Sequence, residues 1–248
     1  MHALIVHCHP EPSSFNGALT QVATETLEAS GATVDVSDLY RDAFDPCEGP
    51  RHYAVRDNTE IFAPLGEQRH AYQTDTLSPD VAREIERLKR ADLVIFQFPI
   101  WWHSHPAVLK GWFDRVFVSG GLYTSEMRYD RGVFRGKRAI CSITTGAQSD
   151  AFGPGCRGGD IEKILWPTHY SLYYMGFDVL PPHVTYGVQN QNMGYAYQSD
   201  ADNERHLKRC LEGWAKQLSL LCDAVPLRFA GWDDWDDNGQ ARGRTGQS

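Results

Sequence analysis

The segment FQFPIWWHSHPAVLKGWFDRVF, residues 96–117, decides the fold because it carries a buried strand through an aromatic loop into a helix. The overlapping run DLVIFQF, residues 92–98, is mostly apolar, which is typical of a parallel strand covered on both faces. The run turns at Pro99, and a helix starts at Pro106. The loop between them holds two tryptophans and two histidines: Trp101, Trp102, His103 and His105.

The same order of strand, loop and helix recurs along the chain. Further strands are predicted at residues 3–8, 33–40 and 137–146, and the last in FDVLPPHVTYGV, residues 177–188. Apolar residues at helical spacing lie between them: Leu19, Val22, Ala23 and Leu27; Val81, Ile85 and Leu88; and Leu207, Leu211, Trp214, Leu218 and Leu221. Strands that alternate with helices predict an α/β fold with a doubly wound, parallel, five-stranded sheet and helices on both faces.

Two smaller features complete the local predictions. Ser78 and Asp160 are expected to cap the helices that follow them, and the first of these helices has Pro79 at its first position. Residues 41–77 show no periodicity and are predicted to be an irregular segment with a function, since structureless loops of this length are uncommon in compact domains.

Composition limits the class of protein. The 248 residues are 42% hydrophobic, so one domain over residues 1–229 with an acidic, polar and partly disordered tail over 230–248 is expected. No apolar run is long enough to enter a membrane, and the N-terminal residues lack the features of a secretory signal, which favours the cytoplasm. The net charge of −8 argues against binding to nucleic acid. Six scattered cysteines are interpreted as free thiols.

Three loops with unusual chemistry follow predicted strands: HPEPSSFNG at 9–17, PIWWHSHP at 99–106 and TTGAQSDAFGPG at 144–155. In a doubly wound sheet these loops meet at one edge, where ligands bind. The first is typical of a phosphate site at a helix N-terminus, although Ser and Asn at a helix start are more often simple caps. The second can stack on a flat ring, and the third can donate backbone N–H groups to the edge of that ring. Together they predict a bound flavin.

Some other ligands are disfavoured. The chain has no G-x-G-x-x-G after its first strand and no Walker lysine loop, which argues against a dehydrogenase of the usual dinucleotide-binding type and against a nucleotide triphosphatase. Two His-x-His pairs, at residues 7–9 and 103–105, invite a metal hypothesis, but no carboxylate accompanies either pair. Hydrogen bonding and stacking are the preferred roles of these histidines, and no metal is predicted.

Four sequence blocks together resemble the NAD(P)H quinone dehydrogenase family of flavodoxin-like flavoenzymes. They are SSFN at 13–16, the opening segment at 96–117, KRAICSITTGA at 137–147 and ILWP at 164–167. The resemblance extends over about residues 3–229, apart from residues 188–203. It implies a flavodoxin-like fold, FAD more readily than FMN, NAD(P)H as co-substrate, and a homodimer with its active sites at the interface. The implied activity is ping-pong hydride transfer from NAD(P)H to a quinone or a similar planar electrophile.

The resemblance also implies roles for individual residues. Those matching positions that hold the FAD pyrophosphate and adenosine are His9, Ser14, Phe15, Asn16 and Ala18. Those matching the loop along the isoalloxazine ring are Pro99, Ile100, Trp101, Trp102 and His103, and those matching the turn at its pyrimidine edge are Thr144, Thr145, Gly146 and Ala147. The implied acceptor slot is lined by Trp102, His103, Phe152, Tyr123 and Tyr174, the last two reaching in from the other subunit.

One departure from the family affects the chemistry. Animal members carry a Tyr and a His thought to compensate charge on the reduced flavin, and the matching residues here are Phe152 and Gly158. The expected catalytic groups are therefore the Gly146 turn, whose N–H groups can face developing negative charge, with Tyr123 or His103 as proton donors.

Three alternatives stay open at the level of sequence. They are a flavin-binding ancillary subunit of a potassium efflux system, an FMN-dependent reductase of flavin, azo or nitro acceptors, and a dedicated biosynthetic reductase.

Overall fold

The computed structural model describes residues 1–189 and 200–242. The strands are β1 (His2–His7), β2 (Thr33–Asp38), β3 (Leu93–Pro99), β4 (Arg138–Thr144), β5 (Asp178–Val179) and β6 (His183–Thr185). The helices are α1 (Phe15–Ala29), α2 (Pro64–Gln73), α3 (Pro79–Arg90), α4 (Ala107–Val116), α5 (Ile161–Tyr174) and α6 (Asp200–Leu218). Each predicted strand and amphipathic helix is therefore present, with small shifts at the ends.

The sheet is parallel and doubly wound, as predicted. Its strand order is β2-β1-β3-β4-β5, with β6 also paired to β4. This 2-1-3-4-5 order is that of flavodoxin-like sheets, in which the chain reverses direction across the sheet between β1 and β3. The loops after β1, β3 and β4 consequently leave the same edge at this switch point.

The predicted fifth strand is divided into two short strands. Both β5 and β6 pair with β4, at Arg138 and Ala139 for β5 and from Ser142 to Thr144 for β6. Pro181 and Pro182 lie between them, and proline has no N–H to donate to a sheet ladder. The prediction of one continuous strand was wrong at this point, although the position of the strand in the sheet was right.

Side chains of the central strands alternate between two cores, one on each face of the sheet. Ala3 and Ile5 of β1 pack toward α1 and α6, where Trp214 is fully buried and donates its indole N–H to the Leu19 carbonyl at 3.2 Å. Leu4 and Val6 pack in the other core, with apolar residues of α3, α4 and α5. Cys8 and Cys141 are buried there, as expected of packing residues.

Residues 41–77 are more ordered than predicted, because they contain α2. The prediction failed since three inward residues of α2 include two polar ones, Glu67 and Gln68, which hide its amphipathic pattern. The buried Glu67 carboxylate accepts hydrogen bonds from Arg56 Nε at 2.7 Å and from the Asp57 N–H at 2.9 Å. Gln68 Nε2 donates to the Asp114 carbonyl of α4 at 2.9 Å, so the segment is tied to the body of the protein.

The predicted helix caps differ in outcome. Asp160 caps α5, because its carboxylate accepts the Glu162 N–H at 3.0 Å. Ser78 precedes α3 but makes no side-chain cap; its hydroxyl instead accepts a hydrogen bond from Arg115 Nη2 at 3.0 Å. Ser78 therefore occupies the predicted N-cap position before Pro79, but its side chain makes no capping hydrogen bond.

The described part of the C-terminal segment contacts the domain. The Trp232 indole N–H donates to the Arg128 carbonyl at 3.0 Å, and Trp235 lies edge-on to Tyr129 with ring centroids 4.9 Å apart. The division at residue 230 stays a prediction. The predicted insertion at 188–203 falls largely outside the described residues, as does the end of the tail. Among the described helices, none has the length and apolar character needed to cross a bilayer.

Candidate active site

The three loops predicted to meet do lie together at the switch point. The Ile100 N–H, just after β3, donates to the Thr144 carbonyl at the end of β4, at 2.9 Å. The rings of His9 and Trp101, from the first and second loops, have centroids 5.9 Å apart. Asn16 of α1 reaches Thr144 directly, with 3.0 Å between Nδ2 and Oγ1. Each pair of loops is therefore in contact.

A buried polar network lies under this junction. Asn16 Nδ2 donates to Thr144 Oγ1, and Asn16 Oδ1 accepts from Gln97 Nε2 at 2.9 Å. Asn16 is 3% exposed and Thr144 is 2% exposed. Water therefore cannot replace the hydrogen bond between the Asn16 amide and the Thr144 hydroxyl. The Asn16 side chain thus holds α1, β3 and β4 in register and is committed to contacts within the protein.

The N-terminus of α1 faces the first loop. Ser14 is the N-cap, and its hydroxyl accepts the Gly17 N–H at 3.2 Å, while the Ala18 N–H bonds to the Ser14 carbonyl. The N–H groups of Phe15 and Asn16 belong to the first turn, where a helix offers no internal acceptor. Two donors and the positive end of the helix dipole are therefore available to an anion. Glu11 accepts both donors of Ser13, so Ser13 is not available in this conformation.

The second loop is a tight turn with an unusual backbone. Trp101 and Ser104 exchange two backbone hydrogen bonds of 2.9 and 3.0 Å. The two residues between them, Trp102 and His103, have φ values of 51° and 56°, as in a type I′ turn. Such turns ordinarily take Asn or Gly, and bulky residues at positive φ are strained, which is common at functional sites. The turn projects Trp102, whose side chain is 98% exposed within one chain.

The third loop presents unpaired backbone donors. The Thr145 N–H donates a hydrogen bond to the Thr185 carbonyl at 2.9 Å. The N–H groups of Gly146 and Ala147 have no acceptor within the described part of the chain. Gln189 lies over this turn: a Cβ on Gly146 would be 2.3 Å from its Oε1, which is buried and without a partner among the described residues.

A cavity of about 690 Å³ opens between the second and third loops. The predicted site residues that line it are Ile100, Trp102, His103, Thr145, Gly146, Ala147 and Phe152. It is also lined by Ala151, Arg157, Gly158 and Gln189, which were not predicted to bind a ligand. The only signal for Arg157 was one cation within the glycine-rich stretch GPGCRGGD, residues 153–160.

Phe152 and Gly158, the departures from the family pattern, form a matched pair. A Cβ on Gly158 would lie 2.9 Å from the Phe152 ring and 2.7 Å from the Ala151 carbonyl oxygen. The ring also contacts Tyr186, with centroids 5.5 Å apart. The Phe152 ring and the Ala151 carbonyl oxygen thus occupy the space that a side chain at position 158 would need.

Tyr123 and Tyr174 lie elsewhere within the chain. Their rings are in edge-to-face contact at 5.5 Å and line a separate cavity of about 350 Å³ between α2, α4 and α5. Burial raises the pKa of Tyr123, so its phenol stays protonated at neutral pH. His105 lines the same cavity, bonded to Thr168 Oγ1 at 3.1 Å, and burial lowers its pKa to about 4.

Neither His-x-His pair is arranged as a metal site. His7 bonds to Thr20 Oγ1 at 2.8 Å, and the His9 ring lies against Trp101 at an interplanar angle of 58°. His103 and His105 line different cavities. Within residues 1–189 and 200–242, no group of three or more His, Cys, Asp or Glu side chains could hold a metal ion.

The sheet order and the site at its switch point define a flavodoxin-like protein, and the family model described as a flavodoxin-like fold matches residues 1–215. NAD(P)H dehydrogenase (quinone) 1 of Cavia porcellus is 40% identical over 242 residues, covering 96% of this chain and 84% of that protein. Ribosyldihydronicotinamide dehydrogenase (quinone) of Mus musculus is 38% identical, covering 90% and 93%. The chain therefore belongs to the NAD(P)H dehydrogenase (quinone) family.

A crystal structure from Klebsiella pneumoniae, described as a quinone reductase, superposes with a TM-score of 0.87 at 33% identity and covers 100% of this chain and 98% of that one.

Proposed function

We propose that this protein is an FAD-dependent NAD(P)H:quinone oxidoreductase that works by a ping-pong mechanism as a homodimer. The observation that carries the proposal is the cavity of about 690 Å³ at the switch point, to which the loops after β3 and β4 both contribute. Its walls combine exposed aromatic surface with unpaired backbone donors, which suits a flat heterocycle with a polar edge. The names of the relatives with 38–40% identity support the same activity.

The residues present fit a flavin. The N–H groups of Gly146 and Ala147 have no acceptor in the described part of the chain and suit the carbonyl-bearing pyrimidine edge of the ring. Trp102 offers a nearly fully exposed indole for contact with the ring system. The open first turn of α1 suits the phosphate groups of the cofactor. The resemblance of the four sequence blocks favours FAD over FMN.

The flavin, when bound, supplies the chemistry of accepting a hydride from NAD(P)H and delivering it to an acceptor. The protein supplies position and charge stabilisation. The Gly146 and Ala147 N–H groups would stabilise negative charge at the edge they face. Trp102, His103 and Phe152 would enclose the slot in which nicotinamide and acceptor alternate. The protonated Tyr123 can donate a hydrogen bond to the acceptor oxygen.

The homodimer is part of this proposal. Tyr123 and Tyr174 line a cavity other than that of Trp102. They would complete the slot only if a second copy of the chain brought its own pair to it. Light scattering coupled to gel filtration should therefore give twice the 28.0 kDa mass of the chain.

Separate half-reactions test the proposal. Anaerobic NADPH or NADH should bleach the visible absorption of the flavin-loaded protein without any quinone present. After removal of the nucleotide, a quinone should restore that absorption. Mass spectrometry of the released cofactor should give FAD. Bleaching without reoxidation by any quinone, or negligible steady-state turnover, would contradict the proposal and favour an ancillary, regulatory role.

A further inference from the structure

The cavity at the switch point has a charge of its own. Arg157 is the only Asp, Glu, Lys or Arg among its described lining residues. The rest of the wall consists of apolar and polar residues and the imidazole of His103. The whole chain carries a formal charge of −8, whereas the charge that Arg157 brings to this cavity is positive.

The fold keeps this cation unpaired. The loop that carries Arg157 is closed by its own backbone, with the Gly153 N–H bonded to the Gly159 carbonyl at 2.9 Å and the Gly158 N–H to the Ala151 carbonyl at 2.8 Å. The neighbouring carboxylate, Asp160, accepts the Glu162 N–H as the α5 cap and lies 3.7 Å from Lys163 Nζ. Within the described residues, Arg157 makes neither a hydrogen bond nor an ion pair, and its side chain is exposed at the cavity.

The position of Arg157 favours contact with a substrate that enters from solvent. An exposed guanidinium keeps its full charge and can pair with an incoming carboxylate or sulfonate through two parallel hydrogen bonds. It shares the cavity with the Trp102 and Phe152 rings, which are the surfaces offered to a flat acceptor. A charge attached directly to the acceptor ring would therefore lie within reach of Arg157 while the ring occupies the slot.

We propose that Arg157 makes the site selective for planar acceptors that carry a negative charge on or next to the ring, such as quinone carboxylates and sulfonates. This inference rests on the proposed quinone reductase function and specifies its substrate class. Phe152 and Gly158 contribute by placing no charged side chain beside Arg157 on this part of the wall.

Two acceptors that share one ring system test the proposal: 1,4-naphthoquinone and 1,4-naphthoquinone-2-sulfonate. For each acceptor, kcat/KM of a variant is divided by kcat/KM of the wild type, so that intrinsic differences in reactivity between the two acceptors cancel. In the flavin-loaded protein, Arg157→Gln should lower kcat/KM for the sulfonate about tenfold or more, the size expected for loss of one charged hydrogen-bonded pair. The value for the neutral quinone should change less than about twofold. Arg157→Lys should retain most of the selectivity. Arg135→Gln is the matched control, because Arg135 is also exposed and lies outside this cavity.

A binding measurement makes the test independent of turnover. Naphthalene-2-sulfonate cannot accept a hydride, and its Kd for the oxidised, flavin-loaded protein can be measured by calorimetry. Arg157→Gln should raise this Kd about tenfold, and added salt should weaken wild-type binding more than binding to the variant. Equal losses for both quinones with an unchanged Kd would overturn the proposal, as would an effect confined to the preference for NADPH over NADH. Absence of quinone turnover in the wild type, with sulfonate binding still dependent on Arg157, would instead contradict the proposed function alone.

Discussion

Trp102 has a strained backbone and an exposed side chain, and neither feature stabilises the folded chain. It lies at a φ of 51°, and 98% of its side chain faces solvent. An exposed tryptophan gains no burial energy in the free chain, and a bulky residue at positive φ costs on the order of 1 kcal/mol or more. The gain is expected on binding, when the indole covers a flat ligand. This residue therefore gives a direct test of the site.

Replacing Trp102 with Ala should weaken flavin binding about tenfold, because ring stacking contributes about 1 kcal/mol beyond area burial. The stability of the apoprotein should change little, since the side chain contacts almost nothing in the free chain. Flavin titration and thermal unfolding measure the two effects. Trp166→Ala is the control, because Trp166 is 54% exposed and lies outside the cavity. Equal flavin affinity in both variants would show that the Trp102 wall is dispensable.

The network beneath the loops predicts a different pattern. Thr144→Val keeps the shape of the side chain but removes the hydroxyl that bonds to Asn16. The buried Asn16 amide would then lack an acceptor, at a cost of about 1–3 kcal/mol in the free energy of unfolding. Thr144→Ser keeps the hydroxyl and should cost less. Urea unfolding of both variants checks this, and identical stabilities would mean that the bond between these side chains contributes nothing.

Sequence identified much of the cavity wall, because strand ends can be read from apolar runs and ligands bind where the strands end. Ile100, Trp102 and Gly146 were found in this way. Arg157 and Gln189 were missed since nothing in their spacing shows which way an irregular loop folds back. Asn16 is predicted to lie at the cofactor, which stays a prediction; only the structure shows that its side chain bridges Gln97 and Thr144.

At the scale of elements, α2 and the segment before it depend on one buried carboxylate. Glu67 is 1% exposed, and its pKa lies below its ordinary value because hydrogen bonds from Arg56 and from the Asp57 and Asn58 N–H groups outweigh the opposing effect of burial. Replacing this carboxylate leaves the half-buried Arg56 guanidinium without its charged partner and the Asp57 and Asn58 N–H groups without an acceptor.

Glu67→Ala should therefore lower the free energy of unfolding by about 1–3 kcal/mol, the cost of leaving hydrogen-bond donors of the protein without their acceptor. Amide hydrogen exchange should rise first in residues 53–73, because the Glu67 contacts tie residues 56–58 to α2. Glu60→Ala, at an exposed position, is the control. Unchanged exchange in the Glu67 variant would show that α2 is held by its other contacts.

Elements with a continuous or periodic apolar pattern were predictable, and elements without one were not. β1, β3 and β4 each contain a run of apolar residues, because both faces of these strands are covered. α2 was not predicted, since its inward side carries the polar residues Glu67 and Gln68. The fifth strand was predicted as one continuous strand, but Pro181 and Pro182 interrupt its hydrogen bonding to β4.

At the scale of the whole molecule, buried histidines set the response to mild acid. Burial lowers the pKa of both His105 and His169 to about 4, from an ordinary value of 6.5. In the unfolded chain these two histidines therefore bind protons near pH 6.5, whereas in the folded chain they bind protons only near pH 4. Stability should be fully present above pH 6.5 and should fall as the pH drops toward 4, by up to about 3 kcal/mol for each histidine.

Urea unfolding of the wild type at pH 7.5, 6 and 5 measures this loss. His169→Leu removes one of the two groups, and His169 Nε2 has no hydrogen-bond partner among the described residues, so the replacement breaks no bond there. The variant should show a shallower fall between pH 6.5 and 5. Parallel curves for the two proteins would assign the acid sensitivity to other groups.

Titration of the flavin-free protein with FAD tests the central claim, that three loops at the sheet switch point jointly bind a flavin. Binding should saturate at one FAD per chain and quench the flavin fluorescence, and anaerobic NADPH should then bleach the bound cofactor. A protein that takes up neither FAD nor FMN would contradict the account.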